Sequence, residues 1–96
     1  MTSKRPKAQA IVQIDNERVI ITQWIFSPGA ETGWHKHGYD YMVVPSMDGE
    51  LLLETEEGEN IAELKASQSY YRPVGVEHNV VNVNDFEFSF VEIELK

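Results

Sequence analysis

Short apolar stretches separated by turn residues run the length of the chain, and none keeps a helical period. Residues 10–14 are followed by Asp15-Asn16, 18–26 by Pro28-Gly29, and 39–44 run into Asp48-Gly49. Residues 50–55 meet Glu57-Gly58, 60–64 meet Ser67, 70–72 stop at Pro73, and 78–83 stop at Asn84-Asp85. Residues 86–95 close the sequence. A strand sends successive side chains to opposite faces, while Gly, Pro, Asn and Asp supply the backbone conformations of turns. Eight or nine strands at this spacing predict an all-β sandwich or barrel. Residues 1–8, polar and basic, are expected to form a flexible arm, and 9–96 one β-barrel domain.

Two stretches break the simple inside–outside alternation. Phe86, Phe88 and Phe90 share one parity, and Val91, Ile93 and Leu95 take the other. Either a bulge shifts the register near Phe90, or both faces of this strand are covered. Residues 19–26 are also apolar on both faces. In so small a domain this points to one sheet packing against a second copy, so a homodimer is expected. The plainer alternative is that both are central core strands.

Length and charge narrow the functions. Ninety-six residues allow one domain and no separate cofactor-binding domain. A net charge of -8 argues against nucleic acid and anionic membrane as partners. Asp48, Glu50, Glu54, Glu56, Glu57 and Glu59 read as a solvated hairpin. With no cysteine, disulfides and thiol catalysis are excluded. No apolar run reaches signal-peptide or membrane-span length, and a cytoplasmic location is expected.

All three histidines fall in two short segments. The first reads Gly29-Ala-Glu-Thr-Gly-Trp-His35-Lys-His37, and the second Pro73-Val-Gly75-Val-Glu-His78-Asn-Val-Val-Asn82. If 35–37 is a strand, the two imidazoles project to one side, and His78 joins them if the sheet folds back. A single histidine on an apolar face is more often a hydrogen-bonded core residue. Three, with no others in the chain, point to one metal site.

These segments resemble the two motifs of the cupins, small jelly-roll β-barrels. Gly29, His35 and His37 match the opening of the first motif and Gly49 its close; Pro73, Gly75, His78 and Asn82 match the second. Ser67 stands where the second motif opens with glycine. The first motif's glutamate is absent: Tyr41 keeps the parity of the histidines, Met42 keeps the spacing to Gly49, and neither is a carboxylate. Asp40 is adjacent, but a regular strand turns it away. The runs Thr-Gly-Trp-His-Lys-His and Tyr-Tyr-Arg-Pro-Val-Gly-Val-Glu-His are also similar to those of short bacterial cupins from catabolic clusters, including β-alanine degradation.

The resemblance implies a cupin-type jelly-roll barrel holding a divalent metal (Fe, Ni, Zn or Mn) through His35, His37 and His78. Three imidazoles leave coordination positions open, as in catalytic sites. The fourth ligand is left among Tyr41, Asp40, water or none. Without the glutamate the site gains one unit of positive charge, which favours a small anionic metabolite. The implied chemistry is a metal-dependent dioxygenase or a lyase/isomerase, with Tyr41 as the catalytic candidate, since a nearby cation favours the phenolate; the alternative is that Tyr41 only lines the barrel and hydrogen-bonds a neighbour. A non-catalytic metal- or ligand-binding module is the competing reading. Arg72 is a candidate partner for a substrate carboxylate, with a surface salt bridge as the plainer alternative; Trp24 and Phe26 are candidates for the pocket wall, with core packing as the alternative for both.

Overall fold

The alternation resolves into nine strands, and among the residues described by the computed structural model, 4–96, there is no helix. They are β1 (Gln9–Asp15), β2 (Val19–Phe26), β3 (His35–Lys36), β4 (Asp40–Pro45), β5 (Gly49–Thr55), β6 (Gly58–Leu64), β7 (Tyr70–Arg72), β8 (Glu77–Asn82) and β9 (Phe88–Leu95). They form a five-stranded sheet, β1-β2-β9-β4-β7, and a four-stranded sheet, β3-β8-β5-β6. All strand pairs are antiparallel. One core joins the sheets: Phe26, Tyr41, Val43, Phe88 and Phe90 come from the first, and Leu51, Leu64 and Val80 from the second. Each such side chain, once fully buried, contributes about 1.5–3 kcal/mol of hydrophobic stabilisation.

The last strand lies at the centre of its sheet, between β2 and β4. It pairs along its whole length with β2 and from Asp40 to Pro45 with β4, with no break in register. Of the two alternatives for this strand, the bulge near Phe90 is absent, and both faces carry apolar side chains. Phe88 and Phe90 enter the core, and the same parity continues inward as Glu92 and Glu94. Val91, Ile93 and Leu95 take the outer face. A register irregularity occurs instead in the edge strand β1, between Val12 and Ile14.

Several turns depend on particular residues. Asn82 is fully buried, and its amide donates to the carbonyls of Phe26, Ser27 and Phe86 at 2.9–3.3 Å. It therefore fastens the ends of β2 and β9 and does not support the metal site directly. Ser67 adopts φ 66, the left-handed conformation that glycine would take without strain. Of the expected flexible arm, residues 1–3 lie outside the described residues. Pro6 and Ala8 hydrogen-bond the backbone of Glu31, and Arg5 pairs with Glu31 and Glu54, so this part of the arm is docked on the barrel.

Gly49 is required for space. A Cβ there would lie 2.6 Å from Cε1 of Phe88, a ring with no exposed surface to move into. We expect Gly49→Ala to cost about 1–3 kcal/mol by overpacking, measured by denaturant unfolding. Gly38→Ala, where the added atom meets open space, serves as the control and costs much less.

Candidate metal centre

The two histidine segments are joined backbone to backbone. His35 pairs directly with His78 across β3 and β8. The His37 N–H donates to the Val76 carbonyl at 2.8 Å, and the His37 carbonyl accepts from the Gly75 N–H at 2.9 Å. Gly75 makes this turn with φ +99, a conformation L side chains rarely adopt. Asp40 supports the same turn from outside the barrel, accepting from the Val74 N–H at 2.7 Å and from the Tyr71 hydroxyl. The strand β3 covers only His35 and Lys36, yet all three imidazoles converge.

Their geometry fits a cation. Nε2 of His37 lies 3.1 Å from Nε2 of both His35 and His78. Two nitrogens bound at right angles, each about 2.1 Å from one ion, are about 3.0 Å apart. His35 Nδ1–H donates to the Gly33 carbonyl at 2.8 Å, which assigns the lone pair to Nε2. His37 Nε2 carries either one proton or one lone pair, so it cannot make a full hydrogen bond to both neighbours. A metal ion would satisfy all three nitrogens. Burial, reinforced by repulsion from His35, pushes His37 and His78 down to about 4, so both are neutral near pH 7 and able to bind an ion.

A polar network holds the His35 support in place. Asn79 Oδ1 accepts from the Gly33 N–H at 2.9 Å, and its amide donates to Glu31 at 2.9 Å and Glu54 at 2.8 Å. Arg5 pairs with both carboxylates. Glu54, expected as part of a solvated hairpin, thus belongs to this network. The three histidines line a cavity of about 920 Å³ with Trp24, Tyr41, Arg72, Glu92 and Glu94.

No family model matches the chain. A curated relative, the β-alanine degradation protein BauB of Pseudomonas aeruginosa, is 58% identical over 98% of this chain and 99% of its own length. The crystal structure of a cupin domain from Bordetella pertussis Tohama I superposes with a TM-score of 0.96 at 60% identity, covering 99% of each chain. This chain is a cupin. A Klebsiella pneumoniae protein with a double-stranded β-helix domain shares the fold at a TM-score of 0.78 and 20% identity, covering 98% of this chain and 81% of that one.

Against the cupin pattern, the missing glutamate can now be placed. Tyr41 and Val43 point into the barrel, so Met42 points out, and a carboxylate introduced at 42 would face away from the histidines. Asp40 is committed to the turn and is no ligand. Tyr41 is 3% exposed and stacks on His37, with ring centroids 3.8 Å apart. Burial, with Tyr70 and the Glu92 carboxylate adding to it, pushes its phenol above the usual value. In the metal-free site it is a neutral phenol. Arg72, paired with Tyr41 across β4 and β7, lines the cavity and lies over the Tyr70 ring at 4.6 Å. Trp24 also lines it. Phe26 does not: with 0% exposure it packs on Phe90 in the core, which corrects its candidacy for the pocket wall.

Two residues of this cupin's site were missed in the sequence. Ligand atoms of His37, Glu92 and Glu94 lie within 4.8 Å of one another. The signal was the parity of Phe86, Phe88 and Phe90, which extends to Glu92 and Glu94. Glu92 is 9% exposed and takes one hydrogen bond, from Trp24 Nε1 at 3.4 Å. Burial, with Glu94 adding to it, pushes its carboxyl up to about 7 from the ordinary 4.5. The unfolded chain thus loses this proton before the folded one does. The stability tied to Glu92 is complete below pH 4.5 and is lost as pH rises through 7. In chelator-treated protein, Glu92→Gln should stabilise the fold at pH 8 by at most roughly 3 kcal/mol, seen as a raised thermal midpoint, and change the midpoint little at pH 4.5. An equal effect at both pH values would contradict a buried carboxylate.

Proposed function

We propose that this cupin is a metal-dependent enzyme that acts on a small carboxylate metabolite in catabolism. The observation that carries the reading is the convergence of three imidazoles on one point of a cavity sized for a metabolite. His35, His37 and His78 would hold a divalent ion of the Fe, Ni, Zn or Mn kind. Bound there, it would supply Lewis acidity and, for a redox metal, access to oxygen chemistry. The chain's own residues do the rest. Arg72, held by the Tyr71 carbonyl at 2.9 Å and by the Tyr70 ring, presents a fixed guanidinium to a substrate carboxylate. Tyr41, as a neutral phenol against His37, can donate a hydrogen bond to a bound oxygen atom. Trp24, Leu51, Leu53 and Val80 supply apolar wall that limits water. The relative's name supports the substrate class, since β-alanine itself bears a carboxylate.

The protomer's outer surface supports a homodimer. All seven residues of β1 are exposed, yet Ile11 and Ile14 are among them. With Ile21, Val91 and Ile93, each at outward parity, they form a largely apolar face around Gln23 on the five-stranded sheet. An edge strand of this kind pairs or aggregates unless it is covered, and a second copy presents the same self-complementary face. Sedimentation should give a dimer for the parent and a folded monomer for Ile93→Glu; a monomeric parent would refute the assignment.

Elemental analysis of protein purified without a histidine tag tests the metal, and oxygen uptake or loss of substrate with β-alanine and other short carboxylates tests the activity. Near-stoichiometric metal is expected in the parent and little in His78→Ala. Equal occupancy in both would remove the site. Full occupancy with no turnover of any short carboxylate would favour a binding module.

A further inference from the structure

The second cluster, His37 with Glu92 and Glu94, shares a histidine with the three-histidine site. Its carboxylates come from a strand that neither histidine motif includes. Glu94 is the direct cross-strand partner of Tyr41, the inward residue that stands where the first motif's glutamate would be. Directly opposed residues in an antiparallel pair have Cβ atoms about 4.5–5.5 Å apart on the same face. A carboxylate at 94 is therefore displaced from the motif position by one strand, with its inward direction kept. The stem is long enough to matter: glutamate carries its oxygens several bonds beyond Cβ.

Two features separate Glu94 from an ordinary surface acid. Its carboxylate has no hydrogen-bond partner among the described residues, although it lines the cavity beside His35, His37 and His78. The adjacent inward acid, Glu92, is nine-tenths buried, and its single hydrogen bond, from Trp24, is long. Two carboxylates held together facing a histidine cluster repel one another, an arrangement that a cation relieves. Glu92 already has the indole as a hydrogen-bond partner, whereas Glu94 has Lys96 only as a nearby charge and no hydrogen-bond donor among the described residues.

We propose that Glu94 replaces the missing motif glutamate and supplies, from β9, the carboxylate ligand of the ion held by His35, His37 and His78. This rests on the three-histidine reading. The donor set becomes three nitrogens and one oxygen, and the charge of the loaded site falls by one unit. A carboxylate oxygen also shifts preference toward Mn and Fe and away from softer ions.

The test titrates chelator-treated, full-length protein with Co(II), reading the dissociation constant and the visible absorption band. Glu94→Gln should weaken binding about tenfold or more and strengthen the band as the coordination number falls. Tyr41→Glu combined with Glu94→Gln should restore both, because the carboxylate returns to the motif position. Glu63→Gln, which removes a charge from the same cavity wall, controls for through-space electrostatics. An unchanged spectrum and affinity in Glu94→Gln, whatever Glu92→Gln does, would overturn the assignment. So would a loss of affinity matched by Glu63→Gln with no change in the band. In either case, abolition of binding by His78→Ala would leave the three-histidine reading standing, while its failure to weaken binding would sink that reading instead.

Discussion

The period-two alternation of β9 ties the core of this barrel to its chemistry. Because β9 lies between β2 and β4, every inward side chain on it meets neighbours on both sides. Phe88 and Phe90 fill the closed half of the barrel, and Glu92 and Glu94 take the same direction in the half that opens to the cavity. A slip of one residue would exchange these for Val91, Ile93 and Leu95, burying the outer apolar face and expelling the Phe side chains and both carboxylates. The unbroken register with β2 and β4 thus fixes packing and polar lining in one step. The tight contact of Gly49 with Phe88 helps to hold that register.

The histidines were legible in the sequence because their chemistry is rare and their spacing is short. Three in the chain, two of them alternating and the third behind a Pro-x-Gly turn, leave few other arrangements. The strand pattern was equally plain, with boundaries within two residues of those observed, because turn residues punctuate it. Glu92 and Glu94 were hidden by the same rule that revealed the strands. Acidic residues between Val91, Ile93 and Leu95 read as the solvated side of an amphipathic strand. Hydrophobic side chains mark the core only where the interior is dry, and here the interior changes character halfway along the strand. The apolar outer face of the same sheet then made the wrong side look like the inside.

The support of His35 was illegible for a different reason. Arg5, Glu31, Glu54 and Asn79 come from four separate stretches, and each alone reads as a surface residue. Only the fold makes them neighbours. Their individual worth is small, since part-exposed ion pairs contribute little. Their effect is directional: Asn79 fixes the Gly33 peptide, the Gly33 carbonyl takes the Nδ1 proton of His35, and Nε2 is left to bind. The docked residues of the N-terminal segment thereby act on the tautomer of His35 through four hydrogen bonds in series.

Burial penalises the charged forms of the site's groups in opposite directions. His37 and His78 resist protonation, so acid favours the unfolded chain between pH 6.5 and about 4. Glu92 resists ionisation, so base favours it between 4.5 and about 7. The metal-free barrel is therefore strained on both sides of its pH range, with crowded nitrogen lone pairs and facing carboxylates. A divalent cation removes the reason for each: it takes the lone pairs and makes the neighbouring negative charge favourable. An ion that binds only the folded arrangement stabilises it by mass action. The features that weaken the barrel without an ion would thus be the ones that give the proposed site its affinity, and holding a metal and holding the barrel together would become one equilibrium.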